Sequence, residues 1–519
     1  MSFRAVWVLS YEKGEVATLR FSRRYPSVER RAKRLSGPQY VPIPEDCVLS
    51  RLLFTELGLE DPDRLYVAMR DDCELHQESH ILELHPDGCR GALWPLLTIT
   101  QGGLIMVCLP LVDSSAYLQP RLSSQVSISQ GIAFLSGLQA FLSAGNKTQE
   151  SDILASRLDV LPLVLFHICP LGTPVDTPHS AIFPFLSVSS PSSSQKQPAW
   201  KAGTHKGRST VSVSVTETVR SMQYGNHSKQ DLWDVYGTVM CKCEVEGTQP
   251  NITVTLSLPP NGSPLQDILA HPCVNTLDTS TLTASSMDYG DASAFSGPYK
   301  FPFSPPLEPF RLCSYTSQVP VPPVLGSYQL KEDDGHLQLN VLLKLHESVT
   351  NSFEYCEAHL PFFNRCQMGT LDVKVTSGQV EVSKEKNLLV WILGQKFPKA
   401  REVTLEGAIN FSGQTVGPTD PLCTDGTAYV KEKSPIGFKP RNSSTLDQES
   451  CELTIQLKAQ LYFRIPDLTL SGCCVDQHSV QVYSSTKPRV VTSRDLVSSE
   501  YYIWNSTGHT PMLPGAMMM

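Results

Sequence analysis

This 519-residue chain is poor in charge, in long apolar runs and in compact catalytic signatures. Charged residues make up 18% of it and the formal net charge is −8, so no excess of Lys and Arg is available to neutralise a polyanion. Nucleic acid is thereby excluded as the main partner. The longest apolar runs, 161–169 and 104–111, fall far short of the ~20 residues that cross a bilayer. The opening MSFRAVWVLSYEKGE has a short apolar run soon met by charge and no small-residue cleavage site, which predicts a cytosolic chain at most peripheral to a membrane. In that compartment the 15 cysteines read as reduced, mostly buried thiols. No phosphate loop, dinucleotide fingerprint, Gly-x-Ser-x-Gly elbow or His-Glu-x-x-His is present. No residue set singles out an enzyme, and no cofactor is expected.

What the chain does have is alternation. In 209–258, Val211, Val213 and Val215 alternate with Ser212, Ser214 and Thr216. Val235, Gly237, Val239, Cys241, Cys243 and Val245 share a second parity, and Ile252, Val254, Leu256 and Leu258 a third. A period of two predicts three half-buried strands opening an antiparallel sheet. Similar runs recur in HLQLNVLLKL, TLDVKV, GQVEVS, LLVW, REVTLEGAINF and CELTIQLKAQLYF, interrupted by polar loops over 264–298 and 416–450. So many strands over 300 residues predict two connected β subdomains.

The N-terminal stretch reads differently. Strands over 3–9 and 15–21 precede helices starting at Pro26 and spanning 45–57, with Pro tolerated in a first turn. Gln101-Gly-Gly103 marks a hairpin, and Ile128, Ile132, Leu135, Leu138 and Leu142 follow helical spacing. A short helix over 153–160 is then followed by a Pro-broken apolar run and by the Ser/Pro-rich 186–209, a flexible linker by composition. The expected organisation is an α/β domain over 1–145, a helix and linker over 146–208, an all-β domain over 209–505 and a frayed tail over 506–519.

Three groups of residues invite a chemical reading. Cys73, His76, His80, His85 and Cys89 have soft and imidazole donors at spacings that suit zinc, although no C-x₂-C pair accompanies them. The plain alternative is a turn and strand with exposed His. Cys241 with Cys243 and the adjacent Cys473 and Cys474 read as small hydrophobes on strand faces rather than as redox pairs. Lys431, Lys433, Lys439 and Arg441 surround Phe438 in YVKEKSPIGFKPRNSS, a candidate membrane-contact loop or simply a solvated one.

Taken together, several stretches resemble the medium (mu) chains of adaptor-protein complexes, and among those the divergent chains of the fifth complex. FRAVWVLSYEKGEVATLRFSRRY resembles their opening hairpin, and VSVSVTETVRS with VYGTVMCKCEVEG the first two strands of the mu-homology domain. YKFPFSPPLEPFRLCSYTS is similar to a segment Phe-x-Pro-Pro-x-Gly-x-Phe-x-Leu-x-x-Tyr, NLLVWILGQKFPKAREVTLEGAINF to a Trp-bearing strand pair, and EYYIWN to the terminal Trp-Val-Arg-Tyr strand. The resemblance implies an α+β fold: a longin-like α/β domain, a linker and a large all-β mu-homology domain of two β-sandwich subdomains. It implies a non-enzymatic subunit of a heterotetrameric adaptor that sorts cargo on late endosomes and lysosomes. Its partners would be a large adaptin-like chain, a small sigma-like chain, cargo tails and a membrane surface. A coat subunit of Golgi-to-endoplasmic-reticulum retrieval, or a stand-alone scaffold using the β domain, are the alternatives.

The same resemblance locates a candidate site. In typical medium chains a tyrosine signal inserts its phenol among an aromatic and an Asp on the first strand, a Lys on the second, and a Trp and an Arg on the last. Aligned on Glu217, this chain has Ser212 and Ser214 in the first two places and Lys242 in the third, while Tyr501 and Trp504 offer aromatics without the Arg. Lys242, Tyr501 and Trp504 are therefore the candidate cargo-peptide surface. Tyrosine-signal binding itself is not expected, because an unpaired buried phenol costs ~1–3 kcal/mol.

Overall fold

The computed structural model describes residues 2–11, 18–59, 78–86, 91–101, 103–112, 126–143, 150–175, 209–225, 230–245, 251–275, 297–306, 308–333, 336–362, 368–411, 436–437, 458–483 and 487–506. They fall into two units, 1–197 with 425–453, and 198–424 with 454–519.

The first unit contains strands β1 (Phe3–Ser10) and β2 (Thr18–Arg24), helices α1 (Pro26–Ser36) and α2 (Asp46–Glu56), strands β3 (Glu78–Leu84), β4 (Leu93–Gln101) and β5 (Leu104–Pro110), and helices α3 (Val126–Ser143) and α4 (Glu150–Ile168). The strands form an antiparallel sheet in the order β3-β4-β5-β1-β2. Helices cover both faces, which is why β1, FRAVWVLS, is apolar on both parities and buried along its whole length. Val6 and Val8 join Leu135, Leu138 and Leu165 in one core, and Ala5, Trp7 and Leu9 join Leu49 and Leu53 in the other. Helix α4 extends well past the predicted 160 and runs through Pro162. Burial of Leu161, Val164 and Leu165 in the sheet-side core offsets the backbone hydrogen bond that proline removes.

The second unit is all β: β6 (Thr210–Gln223), β7 (Leu232–Glu244), β8 (Asn251–Ser257), β9 (Leu265–Ala270), β10 (Tyr299–Phe303), β11 (Phe310–Ser317), β12 (Val324–Asp333), β13 (His336–Leu345), β14 (Tyr355–Pro361), β15 (Met368–Val375), β16 (Gln379–Ser383), β17 (Leu388–Ile392), β18 (Glu402–Phe411), β20 (Lys458–Pro466), β21 (Cys474–Val475), β22 (Gln481–Tyr483) and β23 (Arg489–Trp504); the short β19 (Ile436–Gly437), between β18 and β20 in the chain, belongs to the first unit, where it pairs in parallel with β3. A nine-stranded sheet, β16-β17-β14-β20-β23-β6-β7-β11-β9, is shared by two sandwiches. Strands β8, β10, β21 and β22 cover one end, enclosing Val213, Val239, Phe301 and Tyr315. The sheet β12-β13-β18-β15 covers the other, enclosing Val341, Leu405, Trp391 and Phe463. The two subdomains predicted from strand number are these two cores.

Three local readings change. Strand β8 does not continue the sheet of β6 and β7 but joins the opposing sheet beside β10, because Ile252, Val254 and Leu256 are buried in one core with Val239 and Tyr315 of the nine-stranded sheet. The predicted loop 264–298 begins with a strand, β9, whose Leu265 and Ile268 are buried. The last strand is sixteen residues long and runs parallel to β6 over most of its length.

Candidate functional site

Lys242 lies on β7, whose alternation turns Val239 and Cys241 inward and leaves Lys242 exposed. In register, Lys242 stands beside Ser212 of β6, and Ser212 beside Val491 of β23; Ser214 likewise stands beside Ser493. Lys242 Nζ lies 2.8 Å from Glu244 Oε1, and Thr210 donates its hydroxyl to the other oxygen of Glu244 at 3.1 Å. Of Ser212, Ser214, Val491 and Ser493, none carries a carboxylate or a guanidinium. The groups that would fix a phenolic hydroxyl are missing from these positions, and the lysine is held in an exposed ion pair of small energetic weight.

Tyr501 and Trp504 are elsewhere. The parallel register places Ile503 beside Gln223, at the far end of β6 from Ser212. Eleven residues at ~3.3 Å each separate the two ends by on the order of 35 Å. Tyr501 is fully buried and presents no face to a peptide. Its hydroxyl donates to the carbonyl of Val324, accepts the Val324 amide at 3.1 Å and accepts from Gln223 Nε2 at 3.3 Å. Gln223 in turn accepts the Gly326 amide at 2.7 Å. Burial pushes the Tyr501 phenol well above its ordinary pKa, so it stays protonated and clamps β12 onto the nine-stranded sheet.

Trp504 is half-buried and stacks on Tyr224, with centroids 5.9 Å apart and planes at 14°. Lys458 places its ammonium 3.5 Å from the Tyr502 ring centroid and 5.1 Å from that of Trp504. These contacts form a cation–π box at the strand end. The three candidates of the sequence thus divide into a surface lysine, a core phenol and a half-buried indole, and do not form one site.

Glu217, which enters the alignment only as an anchor, is the centre of a second buried polar cluster in the β unit. Glu217 is fully buried. One carboxylate oxygen accepts from the Tyr315 hydroxyl at 2.9 Å and from the Ser471 hydroxyl; the other accepts the amides of Leu470 at 2.6 Å and Ser471 at 3.1 Å. Gly237, opposite Glu217 in the β6–β7 register, leaves room for the tyrosine: a Cβ there would sit 1.9 Å from the Tyr315 ring. Burial raises the pKa of Glu217 above the ordinary glutamate value, and the donated hydrogen bonds oppose the shift.

Cys73, His76 and Cys89 lie outside the described residues, as do Lys431, Lys433, Lys439 and Arg441. His80 is on β3, and His85 beyond it is solvent-exposed, with Nε2 3.9 Å from Glu83. Among the described residues no three His, Cys, Asp or Glu converge in a way that could hold a metal ion. Cys241, Cys313 and Cys473 are buried, and burial pushes their thiols up, that of Cys473 to about 12. Half-buried Cys243 is also pushed to about 12, so these sulfurs pack as thiols rather than act as thiolates. Among the described residues no helix is long and apolar enough to cross a membrane.

A longin-like sheet unit joined to a double β-sandwich defines the class. Residues 198–504 match the adaptor complexes medium subunit family, and the chain belongs to that family. It is 47% identical over 523 residues to human AP-5 complex subunit mu-1, covering 100% of both chains, and 46% identical over 522 residues to the mouse protein of that name, again covering 100% of both. The Arabidopsis thaliana AP-5 complex subunit mu is 27% identical over 391 residues, 71% of this chain and 60% of its own. Among solved structures, the zebrafish Fcho1 mu homology domain with bound Eps15 peptide covers 58% of this chain and 99% of its own at 13% identity and a TM-score of 0.36.

Proposed function

We propose that this chain is the medium subunit of an AP-5-type adaptor complex, a non-enzymatic component of vesicle-mediated sorting at late endosomes and lysosomes. The observation that carries the reading is the 47% identity, end to end, to relatives named AP-5 complex subunit mu-1. In this reading residues 1–145 dock into a large adaptin-like chain beside a small sigma-like chain, residues 146–208 connect, and residues 209–505 meet cargo tails and the membrane. The loss of the phenol-binding groups at Ser212, Ser214, Val491 and Ser493 means that cargo is read by something other than a tyrosine signal.

The test is affinity purification of the tagged full-length chain from cells, with identification of what accompanies it. One large and one small adaptor chain in equal amounts are expected; their absence overturns the reading. Membrane contact is checked separately with anionic vesicles. Each cation near such a surface adds ~1 kcal/mol. Replacing Lys431, Lys433, Lys439 and Arg441 by alanine should therefore weaken vesicle binding by more than tenfold, and unchanged binding removes this loop from the interface.

A further inference from the structure

The four-stranded sheet that covers the second sandwich has an outer face whose polar residues the proposed function leaves unused. On it lies a trough of about 430 Å³, within the size range of ligand pockets. Four charged side chains line it, one or two from each of three strands: Lys331 on β12, Glu406 on β18, and Asp372 and Lys374 on β15. All four are exposed.

Their arrangement follows from register. One row across the sheet reads Lys331, Gln338, Ala408, Asp372, and the next reads Gln329, Asn340, Glu406, Lys374. The floor is low at Ala408, and Gly407 lets β15 press close to β18: a Cβ at Gly407 would meet the Asp372 carbonyl oxygen at 2.2 Å. The row beyond is closed by bonded side chains, His336 to Asn410, and Asn410 Nδ2 to the Thr370 hydroxyl at 2.7 Å. By contrast, Lys331, Asp372, Lys374 and Glu406 make no side-chain hydrogen bond or ion pair with any described residue. Opposite charges collected in one concavity, yet not bonded to one another, keep their bonding capacity for a ligand.

The charge pattern selects the ligand. Two lysines and two carboxylates sum to zero, so a dianionic phosphate gains from the lysines and is repelled by the carboxylates beside them. A ligand carrying both charges is favoured throughout. Lys331 and Asp372 end the same row, three inter-strand spacings apart, or ~14 Å. An extended chain advances ~3.3 Å per residue and turns alternate side chains to one face, so residues i and i+4 span that distance and point the same way. The side chain at i+2 then enters the space above Ala408.

We propose that this trough binds an extended peptide with an acidic residue four positions from a basic one, the acid on Lys331 and the base on Asp372. The inference rests on reading the β unit as the peptide-holding part of an adaptor subunit and gives that part a specific site and motif.

The test is fluorescence anisotropy with the full-length chain and three labelled peptides of one frame: Asp-Ser-Val-Ser-Lys, Lys-Ser-Val-Ser-Lys and Asp-Ser-Val-Ser-Asp. The wild type should bind the mixed-charge peptide about tenfold more tightly than either like-charged one. Lys331→Glu should transfer the preference to the doubly basic peptide, and Asp372→Lys to the doubly acidic one, a reversal that damaged folding does not produce. Loss of binding in one variant through misfolding leaves the other to decide. No binding of any peptide, or binding that neither variant redirects, overturns the site. The adaptor reading stands or falls separately, on the co-purifying chains.

Discussion

The β unit treats its charged residues in two opposite ways. Glu217 is withdrawn completely from water and bonded by two hydroxyls and two backbone amides, so that it ties the 470–471 turn to β6. Lys331, Asp372, Lys374 and Glu406 are exposed on neighbouring strands and make no side-chain hydrogen bond or ion pair with any described residue. A buried charge is tolerated only when its bonding is complete, whereas an exposed one can be left open at almost no cost. The contrast separates polarity that holds the fold from polarity that remains available, which a list of charged residues cannot do.

If that division is right, the largest effect comes from breaking the closed cluster. Glu217→Leu leaves the Tyr315 hydroxyl and two amides without acceptors, at ~1–3 kcal/mol for each group that water cannot reach. A loss of roughly 3–5 kcal/mol in urea unfolding is expected. Gly237→Ala attacks the same cluster from the facing strand by forcing Tyr315 aside, and should cost about 2–3 kcal/mol, in the range of overpacked cores. A loss below ~0.5 kcal/mol for either would mean that the turn is not held by this carboxylate.

The cluster also carries a pH signature. The folded pKa of Glu217 is raised above its ordinary 4.5, so the folded state binds the proton more tightly than the unfolded one. Its contribution is then full below about 4.5 and is lost as pH rises through the raised folded value. Glu217→Gln keeps an acceptor for the two amides and presents its NH₂ to two hydroxyls that can rotate to accept. It should cost about 1 kcal/mol or less at low pH and remove this fall in stability. The measurement is the difference between wild-type and variant unfolding curves from pH 4.5 upward; a difference that does not vary with pH means the carboxyl titrates alike in both states.

Much of this was legible beforehand, for reasons that differ by region. Alternation in HLQLNVLLKL and REVTLEGAINF fixed both the strands and their wet faces, because one side of that sheet is buried and the other is not. Helix α4 was cut short at Pro162 because local propensity cannot see the core that receives Leu161 and Leu165. The site was the least legible. Motif alignment put Tyr501 and Trp504 beside Lys242, but the long parallel pairing of β23 with β6 carries them to the other end of the sheet and brings Val491 and Ser493 in their place. Parallel register over 489–503 is set by distant contacts and leaves no local mark. The trough was invisible for a related reason: its charges come from strands separated by dozens of residues and meet only through cross-strand pairing.

The cation–π box lies between the two extremes, since Lys458 is neither fully bonded nor free. Lys458→Met keeps the stem over the Tyr502 and Trp504 rings and removes the charge, and should cost ~0.5–1 kcal/mol. A null result would show that the ammonium is as well served by water as by the rings.

The smallest effect is expected at the trough, and its smallness is the informative part. If Lys331, Asp372, Lys374 and Glu406 had structural roles, neutralising them would expose unpaired partners, as it does at Glu217. They have no partners among the described residues, so replacing all four by alanine should change the unfolding free energy by no more than ~0.5 kcal/mol, the usual span for surface sites. Their charges sum to zero, so the variant also leaves the net charge, and with it long-range electrostatics, unchanged. Circular dichroism and urea unfolding of the fourfold variant check this directly. A loss of 2 kcal/mol or more would mean that the four are bonded in solution and belong with Glu217, to the fold; an unchanged curve leaves binding as the property in which they can show themselves.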